Sequence, residues 1–141
     1  VGEPELSAAY AGLMGLPVVL FTGDDQSCKE VKAWNPGCEC VVTKIALDRE
    51  AGICKPAEKS RDNIREGAFH ALKKVNDIKP FTFEMPVEIE ADTIFDHHAA
   101  AISLIPGVKR KSGRTISFQS NDYREAFNAL LAITILAIHA Q

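Results

Sequence analysis

Short runs of β-forming residues alternate with segments of helical period from one end of this chain to the other. That alternation constrains the fold more than any other feature of the sequence. Residues 3–13 are rich in Ala and Leu and read as a helix ended near Gly15. The run LPVVLFTG, bounded by Gly15 and Gly23, is too short for a helix and reads as a buried parallel strand. DDQSCKEVKAWN follows as a helix closed by Asn35-Pro36-Gly37, and CECVVTKIA supplies a strand centred on residues 41–45. In PAEKSRDNIREGAFHALKKVND, Pro56 suits a first turn. Ile64, Ala68, Leu72 and Val75 recur at helical spacing and define one apolar face. MPVEIEA alternates, with Val87 and Ile89 on one side and Glu88 and Glu90 on the other. ADTIFDHHAAAISLI reads as a helix stopped by Pro106-Gly107, and RTISFQS as a strand. Asp122 and Glu125 then open the last helix in the manner of a capping box. These elements predict an α/β fold of three-layer type, a sheet flanked by helices, with 1–141 forming a single unit.

Composition sets the outer limits. At 141 residues there is room for one ordinary hydrophobic core, and 46% hydrophobic with 25% charged residues is a globular balance. A net charge of −3 offers no general attraction to nucleic acid or to an anionic membrane. The most apolar stretch, ALLAITILAIHA at 129–140, is too short to span a bilayer. It reads as a helix buried on most sides, in a core or in a subunit interface. Cys28, Cys38, Cys40 and Cys54 contain no CxxC pair, which argues against structural zinc. They read as reduced core thiols of a cytoplasmic protein.

Several polar groups are candidates for chemistry, and each has a structural explanation beside it. The FTGDD turn lies at a strand-to-helix junction, where α/β folds gather ligands. Two carboxylates there repel phosphate, and Asp24 or Asp25 caps the following helix equally well. Asp96, His97 and His98 are zinc-ligand types, yet neighbouring helical residues point about 100° apart and do not share a face. Glu88 and Glu90 share a strand face, as acid–base pairs and solvated faces both do. The basic turn KRKSGR, 109–114, reads as a solvated loop. His70 lies off the apolar stripe of its helix, and His139 nearly ends the chain. No complete active site emerges from pattern alone.

Taken in order, longer phrases carry more information. VGEPELSAAYAG is followed by LPVVLFTGDD, VVTKIALDREAGICKP, KPFTFEMPVEIE and IPGVKRKSGRTISFQSNDYREAF, and then by the apolar last helix. This series resembles the C-terminal half of the zinc-dependent D-aminopeptidases, the DppA-like metallopeptidase family, from Val1 to Gln141. His97 and His98 stand outside its motifs.

The resemblance implies the C-terminal portion of a larger aminopeptidase fold. It also implies hydrolysis of N-terminal residues, often D-residues, from short peptides by two zinc ions. On it, the Glu of the Val-Gly-Glu motif, Glu3, is a metal ligand, and no catalytic residue falls in this chain. The other ligands, an Asp-x-Glu and two histidines, belong to an N-terminal half that is missing here, as a separate chain or as absent sequence. The chain alone is then expected to be inactive. The resemblance also implies a homo-oligomer, with no nucleic-acid or membrane partner. Two other readings stand beside it: a non-catalytic α/β assembly or binding module that kept the fold without the chemistry, and a local metal site built on His97 and His98.

Overall fold

The computed structural model describes residues 1–139; Ala140, where the sequence reading ends the last helix, lies outside them. The strands sort into two three-stranded sheets, and the chain divides into two compact units, Val1–Thr82 and the stretch from Phe83 onward.

In the first unit, α1 (Glu3–Gly12) leads through a loop to β1 (Leu20–Asp24), α2 (Asp25–Trp34) and β2 (Glu39–Asp48). β1 and β2 pair in parallel, Phe21 opposite Cys40 and Thr22 opposite Val41. The expected parallel strand is therefore present, but it starts at Leu20 and is half-buried rather than buried, with Thr22 exposed. β2 then turns through Arg49 and Glu50 into β3 (Ala51–Cys54), an antiparallel partner that the sequence reading does not anticipate. β3 has no buried residue, so its pattern carries no period of burial to read.

The long amphipathic helix is α3 (Ala57–Lys73), with Pro56 at its N-cap. Its packed face differs from the expected stripe. Gly67 and Ala71 are buried, whereas Leu72 is 66% exposed. The reason is the close approach of α3 to the sheet. A Cβ on Gly67 would stand 2.5 Å from Val41 Cγ2, so the smallest residues of the helix take the inner face.

In the second unit, β4 (Val87–Asp92), α4 (Asp96–Ile102), β5 (Lys109–Arg110), β6 (Thr115–Ser120) and α5 (Tyr123–His139) follow in order. The sheet runs β4-β6-β5, and both pairings are antiparallel. Central β6 buries Ile116 and Phe118, and the edge strand β4 alternates as expected. Ala99 and Ile102 of α4, Ile116 of β6 and Ile133 of α5 form the core. Gly107, at φ +86°, makes the turn after α4 that a side chain resists. The last helix is buried on one side only: Leu131, Ile135 and Ile138 are exposed on this chain. No helix among the described residues is long and apolar enough to cross a membrane.

Candidate metal-ligand site at the start of the first helix

Gly2 is the N-cap of α1, with extended backbone, and its carbonyl accepts the Leu6 N–H at 3.2 Å. Gly2 has no side chain with which to cap, and Pro4 in the first turn has no N–H that needs capping. Glu3 and Glu5 place negative charge where the helix dipole favours it. Glu3 itself is exposed. Among the described residues its carboxylate makes no side-chain hydrogen bond and no ion pair.

Glu3 lies on the rim of a cavity of about 470 Å³. Ser7 and Ala8 of α1, Ser27, Val31 and Trp34 of α2 and Phe21 of β1 line it. The Trp34 ring packs on Phe81 with centroids 4.9 Å apart, and its Nε1–H is buried without a hydrogen-bond partner among the described residues. Sequence reading misses these lining residues, because helix packing and not spacing brings them to Glu3. The lone tryptophan of the chain is the one signal that could have drawn attention to α2.

The FTGDD turn serves structure. Asp24 is the N-cap of α2: its Oδ1 accepts the N–H groups of Gln26 and Ser27 at 3.0 and 2.8 Å, and its Oδ2 accepts the Ser27 hydroxyl at 2.9 Å. Those bonds, the Ser27 N–H foremost, hold the Asp24 carboxyl below the ordinary carboxylate range. Asp25 Oδ1 accepts the Ala46 N–H at 2.8 Å, which ties the start of α2 to β2 and lowers that carboxyl as well. A depressed carboxyl contributes stability above its unfolded pKa and loses it as pH falls through the lower folded value. Asp24→Ala is therefore expected to melt below wild type at neutral pH. The gap should narrow as pH falls below about 4, which thermal melts at stepped pH would record.

The remaining candidates are also placed. His97 and His98 meet edge to face at 4.5 Å, and Phe95 stacks on His97 at 5.4 Å. Asp96 stands 3.9 Å from His97 Nδ1. Glu88 and Glu90 face outward together as expected, and Lys111 of the basic turn bridges them, 2.9 Å from Glu88. Its ammonium is pushed up by hydrogen bonds to Glu90 and then Glu88. The three groups are exposed, and such bridges stabilise little. His70 lines a separate, polar cavity of about 290 Å³ with Glu39, Glu66 and Lys55.

No group of three His, Cys, Asp or Glu side chains among the described residues is placed to hold a metal ion. Zinc takes about four ligands. One free carboxylate on a cavity rim fits a contributed ligand and not a complete centre.

Fold and sequence together define a class. Residues 1–132 match the peptidase family M55, described as D-aminopeptidase, and the chain belongs to that family. Two comparisons make the relationship particular. The chain is 31% identical over 139 residues to the D-aminopeptidase of Bacillus subtilis (strain 168), covering 98% of this chain and 51% of the relative. Among solved structures it superposes on the Zn-dependent D-aminopeptidase DppA from Bacillus subtilis, a self-compartmentalizing protease, with TM-score 0.91 and 31% identity. That match takes in 99% of this chain and 51% of the other. The chain thus spans about half the length of the relatives it matches.

Proposed function

We propose that this chain is the C-terminal part of a zinc-dependent D-aminopeptidase that removes N-terminal residues from short peptides, and that Glu3 is one ligand of its two-zinc centre. The observation that carries the reading is the free Glu3 carboxylate at the mouth of a cavity, in a family of D-aminopeptidases. The other ligands, an Asp-x-Glu and two histidines, come from protein outside these 141 residues, as an upstream half of the same polypeptide or as a companion chain. Zinc, when bound, supplies Lewis acidity toward the scissile carbonyl and makes a bound water more acidic. This chain's share is to present Glu3 from a helix end and to wall the space beside it. The assembled enzyme is a homo-oligomer, a reading supported by the self-compartmentalizing relative and by the exposed apolar side of α5, and it works in the cytoplasm.

The test is zinc content and hydrolysis of D-Ala and L-Ala dipeptides, measured on this chain alone and on its assembly with the segment bearing the other ligands. The proposal expects zinc binding and activity only in the assembly, with the D-dipeptide preferred. Activity from the chain alone overturns the division of ligands. An assembly with neither zinc nor activity makes this a non-catalytic module that kept the fold.

A further inference from the structure

Three of the four cysteines meet in the first unit, although nothing in the proposed chemistry uses them. Cys28 lies on α2, Cys38 just before β2 and Cys40 within it. The Cys40 thiol donates to the Cys38 carbonyl at 3.8 Å and the Cys38 thiol to the Glu39 carbonyl at 3.5 Å, while the Cys28 and Cys40 side chains lie close enough to act on each other's ionisation. The strand pleat explains the meeting. A Cβ on Gly67 of α3 would meet the side chains of Glu39 and Val41, so those two residues face α3. Cys40 lies between them and faces the opposite side of the sheet, where Cys28 comes down from α2. Cys28 is 5% and Cys38 0% exposed, Cys40 is half-buried, and all are free thiols. Among the described residues no group of three His, Cys, Asp or Glu side chains, these cysteines included, is placed to hold a metal ion.

We propose that Cys28 and Cys40 are a latent disulfide, closed by exchange with a small oxidising disulfide, that pins α2 to β2. Cys38 is the poorer partner. Two residues apart on extended chain are about 6.6 Å apart, near the far limit of a disulfide's Cα separation. Cys28 comes from a separate element and is free of that restraint. Cys40, the most accessible of the three, reacts first. Its thiolate attacks the small disulfide, forms a mixed disulfide and expels one small thiol. The Cys28 thiolate then attacks the Cys40 sulfur and expels the second. Two protein thiols are oxidised, one small disulfide is reduced to two thiols, and the two protons pass to those thiols. Burial pushes both the Cys28 and the Cys40 thiol up to about 11, so the exchange is slow at neutral pH and quickens as pH rises. The bond would also fix the wall of the Glu3 cavity, since α2 supplies Ser27, Val31 and Trp34 to it.

The experiment uses the full chain carrying Cys54→Ser, which removes the exposed thiol, treated with hydroxyethyl disulfide at mildly alkaline pH. The expected product is lighter by two hydrogen atoms, yields a peptide joining Cys28 to Cys40 and melts roughly 5 °C or more higher. A reductant should reverse all three changes. Adding Cys38→Ser should leave the cross-link in place, and adding Cys28→Ser should abolish it. The proposal is overturned if Cys28 and Cys40 both remain open to alkylation when the treated protein is unfolded, or if the cross-link maps to Cys38–Cys40. Peptide mapping needs no substitution in the core, so a misfolded variant cannot hide the answer.

Discussion

Glu3→Gln should lower peptidase activity of the assembled enzyme by about 100-fold or more and weaken its hold on zinc, while leaving the melting temperature of this chain nearly unchanged. The amide keeps the size and one oxygen of the carboxylate but loses the charge that zinc requires. Glu3 is exposed and has no protein partner among the described residues, so folding has little to lose. That split between function and stability is the signature of a ligand. A residue that merely favours the helix dipole would cost a few tenths of a kcal/mol and leave zinc content alone. Metal analysis and dipeptide turnover, read beside a thermal melt, separate the two.

Gly12→Ala should do the opposite and damage the fold first. A Cβ at Gly12 would stand 1.8 Å from the Phe81 carbonyl oxygen and 2.8 Å from its carbon. Those atoms are backbone, so α1 or the 81–82 segment must move by more than an ordinary side-chain adjustment. We expect a loss of about 3 kcal/mol, the upper end for overpacking, seen as a large fall in melting temperature. Gly2→Ala is the instructive contrast. Its added Cβ would meet the Glu30 carboxylate at 2.0 Å, but that group ends a flexible side chain and can swing away. Its cost should stay below about 1 kcal/mol. If the two alanines cost the same, the seat of α1 against residues 81–82 is wrongly placed.

The elements that were legible in the sequence are those whose burial has a period. β4 shows this best: its alternation places Glu88 and Glu90 outward, as observed. The start of α2 at the FTGDD turn was legible because its cap is local, three residues long. What failed was set by packing at a distance. Gly67 and Ala71, not Ile64, Ala68 and Leu72 as a continuous stripe, seat α3, because the helix approaches Val41 too closely for larger residues. β3 and β5 are short and fully exposed, so no hydrophobic pattern marks them. No glycine- or proline-rich linker announces the division near residue 82 either.

The site was legible only as a motif. Val-Gly-Glu could be recognised for its resemblance, but spacing alone gave Glu3 no more than a helix-dipole role. The cavity beside it depends on how α1, α2 and β1 pack, and the thiol cluster on the pleat of β2. Neither follows from residue spacing, because the participants come from different elements.

The most direct measurement is anomalous diffraction at the zinc edge from crystals of the assembled protein. A zinc peak is expected about 2.0–2.2 Å from a carboxylate oxygen of Glu3. Zinc bound with its ligands complete and Glu3 turned away from it would rule Glu3 out as a ligand.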